Sequence, residues 1–437
     1  MTDPRGRRAQ GKRAALALVA GGVALCGLLI GGVVLLALSG SKPAGTLAEA
    51  RAFYASQPEM LRPLPYTEVP KGLTDLSAKT CGGCHEEIYA EWQVSTHARA
   101  WLDDAQFQEE LHKNVGVTDR DTRWICVNCH TPLENQLEFL VAGLEDGHLG
   151  RPRMIANPNY DPALQLEAIT CASCHVRDGV VLGPYGGSGA PHPVRKAPEL
   201  LKSSACTSCH EAEAYLADVG VGCAFTTGSE VAAGLHRGRS CQSCHMPEVT
   251  RPVATGKAAR KTRRHWFGGS LIPKRPSDEA GLAPVREHFP DGVSLSWGEV
   301  PQALTPGAEV RIQFSASNDE AGHRVPTGDP ERYLLLRAEA RDASGALLGE
   351  REERIGSVYE WEPLKLVSDN RLEPGEVRGY ELRFKVPSSG AVALTLRASK
   401  YRLSQENLAY HHLEGRAVPG RVYFEETREV ALEESKR

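Results

Sequence analysis

The pattern C-x-x-C-H occurs five times in this chain of 437 residues, at Cys81 to His85, Cys126 to His130, Cys171 to His175, Cys206 to His210 and Cys241 to His245. Ten of the twelve cysteines serve it. Residue frequencies predict only about 0.01 such matches, so the repetition needs a chemical cause. Zinc sites also pair C-x-x-C units, and a redox dithiol uses one such pair, but neither requires a histidine behind every pair. Covalent haem does. Each thiol adds to a vinyl group on one edge of a porphyrin, and the adjoining imidazole reaches the iron as proximal ligand. The reading is five haems c, attached through Cys81, Cys84, Cys126, Cys129, Cys171, Cys174, Cys206, Cys209, Cys241 and Cys244, with His85, His130, His175, His210 and His245 on the irons.

Five porphyrins constrain the fold, because each is a large apolar body and residues 79–270, which hold every motif, are sparse in apolar side chains. The motif starts lie 45, 45, 35 and 35 residues apart, room for a helix or two and a loop in each interval. No sequence likeness between intervals accompanies this spacing, which is therefore weak support for a repeat. A mainly helical haem domain that does not fold without cofactor is expected there. Residues 285–437 carry no motif and show alternating runs, "AEVRIQFSAS", "RYLLLRAEARD", "GYELRFKVP" and "AVALTLRAS", separated by "DASG", "EPGE" and "PSSG". Short alternating strands between turn signals predict an Ig-like β-sandwich. The expected class is thus α+β multidomain: an N-terminal transmembrane helix, a helical haem domain and a C-terminal β-sandwich.

The N-terminus sets the expected compartment. "RGRRAQGKR" precedes "AALALVAGGVALCGLLIGGVVLLALSG", an uncharged run long enough to cross a bilayer. It exceeds a usual signal-peptide core and lacks a convincing A-x-A site. Residues 1–40 are read as a cytoplasmic stub and membrane anchor, with Cys26 a small apolar residue inside it. Residues 41–78, with five prolines, are read as a linker. Haem-bound cysteines belong outside the reducing cytosol, so the expectation is a single-pass inner-membrane protein with its globular part in the periplasm. A formal net charge of −4 gives no support for a nucleic-acid partner.

The sixth position on each iron decides between electron transfer and substrate binding. Ten histidines remain outside the motifs against four methionines, two of which precede the haem region, so paired imidazoles are the expected rule. Met154 and Met246 are the lesser candidates. His97 lies in "CHEEIYAEWQVSTHARAW", whose spacing is helical. Twelve residues of helix would put it roughly 18 Å from His85, so it would serve a second haem. His192 is held between prolines in "GAPHPVRK", and His265 follows "GKAARKTRR" and precedes "WFGGS". His236, His112 and His323 complete the candidate set, with His323 in the turn-rich loop "NDEAGHRVPTGDPERY". His148 and His288 rank behind these, and His411 and His412 read as surface or structural residues. Cys223, outside both anchor and motifs, reads as a buried, inert thiol.

"CGGCHEEIYAEWQVSTHARA", with Trp92, Ser95 and His97 in a W-x-x-S-x-H pattern, and "CQSCHMP" followed by "HWFGG" resemble multihaem c-type cytochromes of the cytochrome c-554 type, relatives of hydroxylamine oxidoreductase and pentahaem nitrite reductase. The resemblance covers residues 79–270. It implies stacked haem pairs with mostly His/His irons and, in some relatives, one open iron. Five motifs stand here where that family has four, a β domain is appended, and no C-x-x-C-K motif occurs, which puts nitrite reduction in doubt. The "GHRVPTG" loop resembles one in other multihaem proteins with such a C-terminal domain.

The functional expectation is an anchored electron relay of a respiratory chain, passing electrons between a membrane donor and an exported acceptor. No catalytic side chain is required. Arg251, Arg260 and Arg264 stand near enough in sequence to tune haem potentials. The alternative is an oxidoreductase with one open haem acting on a small nitrogen or sulfur oxyanion or nitric oxide. A third reading gives the β-sandwich the task of docking onto a larger respiratory assembly.

Overall fold

The computed structural model describes residues 45–112, 120–187, 189–216, 221–361 and 364–433. The apolar run expected to span a membrane lies outside them. Among the described residues no helix is long and apolar enough to cross a membrane, so the expectation of an inner-membrane protein held by a single-pass anchor is corrected and carried no further.

The fold is 26% helix and 32% strand, which overturns a mainly helical haem region. Its helices are short: α1 Leu47–Ala55, α2 Ala78–Gly82, α3 Glu86–Gln93, α4 Ala105–His112, α5 Arg123–His130, α6 Pro162–Gln165, α7 Cys171–His175, α8 Ser204–His210, α9 Thr227–Ala233 and α10 Cys241–His245. The physical reason lies in the motifs. Four of the five end a helix on their own histidine, at His130, His175, His210 and His245, and the chain leaves each in a non-helical conformation. In the first motif His85 starts α3 instead. Between these turns run small ladders: β1 Phe139–Leu144 with β2 Pro152–Ala156, β3 Val176–Arg177 with β4 Val180–Gly183 and β5 Val194–Lys196, β6 Glu211–Leu216 with β7 Val221–Thr226, and β8 Glu248–Pro252 with β9 Ala259–Arg263.

Residues 45–78, expected as a linker, pack into this region. Thr46 and Glu49 form a capping box on α1, and Ala50 and Tyr54 are buried with Trp124, Ile125, Leu140 and Val141. Tyr54 Oη accepts from Val141 N (3.1 Å), and Arg51 pairs with the buried Glu134 (2.7 Å). Thr67 and Asn135 exchange two hydrogen bonds of 3.0 Å.

After α11 (Glu279–Arg286) the chain forms two sheets. One is β10 Ser294–Trp297, β12 Glu309–Ser317 and β16 Val377–Lys385, with β12 central. The other runs in the order β11-β18-β17-β13-β14-β15, from β11 Ala303–Leu304, β13 Tyr333–Asp342, β14 Leu347–Trp361, β15 Leu364–Asp369, β17 Val392–Tyr401 and β18 Gly420–Leu432. Side-chain alternation faces Ile312, Phe314 and Ala316 toward Leu334, Leu336, Ala338, Leu394 and Leu396, all buried in one cluster. The expected β-sandwich is present.

The sandwich is fastened to the haem region by charge as well as by packing. Asp104, which caps α4, is buried between Lys274 and Arg402 and ion-paired to both. Glu230 on α9 accepts from Thr327 (2.7 Å) and Arg371 (3.0 Å) of the sandwich loops. Between β17 and β18, α12 (Gln405–Tyr410) sets Leu408 in a small cluster with Leu403, Leu413 and Ala105.

Candidate haem-binding site

One helical turn puts residues i and i+3 on the same side, so each C-x-x-C pair presents two sulfurs to one porphyrin edge while the next residue starts the opposite wall. Three histidine pairs then define three walls and their partners. His97 faces His210 with ring centres 6.3 Å apart, His175 faces His265 at 6.2 Å, and His245 faces His323 at 6.3 Å with planes within 9° of parallel. Ring pairs at these separations could hold one haem iron between them.

The ring nitrogens are prepared for it. His85 Nδ1 donates to Val253 O (2.6 Å), His130 Nδ1 to Ala100 O (2.7 Å), His175 Nδ1 to Leu182 O (2.9 Å), and His245 Nδ1 to Gly268 O. His265 and His323 do the same to Arg263 O (3.0 Å) and Arg324 O (2.8 Å). A proton fixed on Nδ1 leaves Nε2 with its lone pair, the tautomer a metal requires. Burial and neighbouring imidazoles drive His97 down to about 3, and burial takes His210 and His265 to about 4. These rings are neutral at neutral pH.

The local folding that places the partners differs from pair to pair. Helix α3 stops at Gln93 instead of running on to His97, and the turn that follows swings His97 away from His85 toward His210. Trp92 Nε1 donates to Ile169 O (2.9 Å) and Ile169 N to His97 O (3.3 Å), so the W-x-x-S-x-H segment is tied to the bend between α6 and the third motif. His265 is held by Glu91, which accepts from His265 N (2.8 Å), Arg251 (2.6 and 2.9 Å) and Arg264 (2.5 Å). Burial pushes the Glu91 carboxyl up, but these donors outweigh it and hold it below its usual range. His323 reaches over from the sandwich, on a loop whose backbone Asn318 holds through His323 O (2.9 Å) and Leu372 O (3.0 Å). Gly234 and Gly322 allow the two domains to touch there, since a Cβ on Gly234 would lie 2.8 Å from Gly322 O.

The remaining candidates are not brought into such pairs. His192 has a buried Nδ1 without a hydrogen-bond partner and no ring partner among the described residues. His112 is exposed at the end of α4, bonded to Gln108 O (2.8 Å). His236 packs beside Gly322, Met154 joins the Trp124 cluster, and His411 pairs with Glu110 (3.0 Å). Sequence reasoning missed Phe107, which lies flat on His130 at 3.5 Å and 5°, Phe267, 4.4 Å from His97 and 5.7 Å from His265, and Glu91. For Glu91 the available signal was an acid one position before Trp92 on the inward face of α3.

Thiols of different motifs also lie within electrostatic reach of one another: Cys81 of Cys171, Cys129 of Cys209, and Cys206 of Cys241. Cys223 is pushed up to about 11 by burial, a protonated, unreactive thiol.

Residues 80–150 match the family described as cytochrome c554 and c-prime. That match, together with the five motifs, supports a multihaem c-type cytochrome, to which the C-terminal β domain of the fold is added, and that class supports haem c and electron transfer in general. It is similar to the penta-heme cytochrome c552 from Thermochromatium tepidum over 83% of this chain and 100% of that one, at 20% identity and a TM-score of 0.57, so the two share a fold. A β-glucuronidase from Bacteroides uniformis overlaps 32% of this chain and 13% of its own at 16% identity, and its TM-score of 0.18 bears on no function. No curated protein matches the chain.

Proposed function

We propose that the chain holds five haems c and relays electrons between redox partner proteins of a respiratory chain. Haem iron supplies the chemistry by cycling between ferric and ferrous states. The chain's own residues attach, ligate and space the cofactors. Cys81 and Cys84 with His85 hold the first, and the other four motifs hold theirs in the same way. His97, His265 and His323 supply the second imidazole to the haems of the fourth, third and fifth motifs. For the first haem, His192 is the remaining candidate on a neighbouring loop.

The observation that carries this reading is the set of three facing histidine pairs, each joining a motif histidine to a second imidazole. His97 of the fourth motif's pair and His265 of the third motif's pair both pack on the ring of Phe267. Cofactors held by neighbouring pairs of this kind would exchange electrons without a diffusing carrier. Haem quantitation should give five per chain, and a potentiometric titration should reduce all of them with one-electron steps. Fewer than five covalent haems would overturn the count. Haems that equilibrate with each other slower than turnover would overturn the relay.

A second reading, an oxidoreductase acting on a small nitrogen or sulfur oxyanion or nitric oxide, draws on His130. No imidazole stands opposite it among the described residues, and Lys274 lies within its electrostatic reach. Carbon monoxide added to the reduced protein separates the two. A Soret shift in part of the haem favours an open iron, and none favours transfer alone.

A further inference from the structure

The β8–β9 hairpin carries both paired and unpaired cations. Arg251 pairs with the buried Glu91 (2.6 Å) and Arg263 with the exposed Glu248 (3.6 Å). Lys257, Arg260 and Lys261 are exposed and have no carboxylate partner among the described residues. The tip between the strands is pinned to the first haem motif: Thr255 N donates to Cys84 O (2.8 Å), its hydroxyl to Glu86 (2.9 Å), and Val253 O accepts from His85. Cys84 itself is exposed.

A second loop extends the same rim. Lys257 Nζ donates to Gly189 O (2.9 Å), and Arg260 lies over the ring of Tyr185, 5.9 Å from its centre and 51% exposed. Lys196 on this side and Lys71, beside the Gly72 that packs on Pro191 O, are exposed and unpaired as well. Glu86, engaged by Thr255, and Glu87, 3.4 Å from Arg251, are the acids beside the same motif. Five exposed cations without a carboxylate partner thus lie on the hairpin bonded to Cys84 and on the loops packed against it, on a chain whose net charge is −4. A local field opposed to the net charge orients a partner of the opposite sign and repels others.

We propose that this basic rim is the docking surface for a small acidic electron-transfer protein, and that electrons cross at the haem held by Cys81, Cys84 and His85. The proposal rests on the electron-relay reading. One electron crosses per encounter: the donor loses it, a ferric haem gains it, and no bond is made.

The test uses the full haem-loaded chain and two reductants, flavodoxin hydroquinone as an acidic protein probe and the methyl viologen radical cation as a small control. The second-order rate with flavodoxin should fall about tenfold or more between low and physiological salt. Lys257→Glu combined with Arg260→Glu and Lys261→Glu should lower the low-salt rate about tenfold and flatten that dependence, with haem content and the viologen rate not reduced. A comparable reversal on the sandwich, at Arg311, Arg383 and Lys385, should leave the flavodoxin rate within about twofold of the native one. A hairpin variant that reacts as fast as native protein, or no faster or slower than the sandwich variant, overturns the docking surface. Failure of viologen to reduce the haems of native protein overturns the relay reading and the proposal with it.

Discussion

His245 and His323 face each other 6.3 Å apart and nearly parallel, although one closes the last motif of the haem region and the other belongs to a loop of the sandwich. On the proposed reading the sandwich completes a metal site that the haem region begins. His323→Ala should convert one haem in five to a high-spin signal in the electron paramagnetic spectrum and let it bind carbon monoxide, with the covalent haem content unchanged. A low-spin spectrum identical to native would remove His323 from the ligand set.

Glu91 is the carboxylate on which Arg251, Arg264 and the His265 backbone converge. Glu91→Gln leaves Arg251, 4% exposed, with only the exposed Glu87 at 3.4 Å as counter-charge, and breaking a buried pair costs up to about 3–5 kcal/mol. Urea unfolding of the haem-loaded protein should show this loss at pH 7. The Glu91 carboxyl sits below its usual range in the fold, so its contribution is fully present above about pH 5 and drains away as pH falls through the folded value. The gap between native and variant should therefore shrink in acid.

Asp104→Asn tests the fastening between domains. The native carboxylate is held well below its ordinary range by Lys274 and Arg402 against the opposing effect of burial. The substitution should turn a single cooperative thermal transition into two, with the sandwich and haem region separating. One transition at an unchanged midpoint would show that the packing around Leu408 suffices.

Gly234→Ala tests positioning without touching a ligand. Its methyl would meet Gly322 O at 2.8 Å and Glu230 O at 3.2 Å, and overpacking of this kind costs about 1–3 kcal/mol. A rise in high-spin haem, smaller than that of His323→Ala and with native cofactor content, is the expected spectroscopic result.

The most legible parts of the molecule were those whose chemistry fixes spacing. The five motifs could be read from their spacing, and β12, β13, β16 and β17 follow clean alternation, while which histidine faces which motif emerged only from the fold. The long β14 and β18 escaped notice because their outer faces are strings of acids and arginines, as in Glu350, Glu352 and Glu353 or Glu425, Glu426 and Arg428, which blur a period of two. Helicity was overestimated because four of the five motifs end their helix on the histidine within about two turns, and the chain between them forms short hairpins. Phe107 and Glu91 were illegible for another reason: their significance depends on which distant ring or guanidinium faces them, and only the assembled fold decides that.

Gly322 and His323 come late in the chain, after every thiol pair has been made. Truncation ahead of that loop would give a pigmented molecule whose last iron is bare on one side, coloured like the finished product yet open to oxygen and small gases. On the proposed reading, completion of the sandwich would act as a built-in check on that one iron, covered only in a chain translated through its second domain.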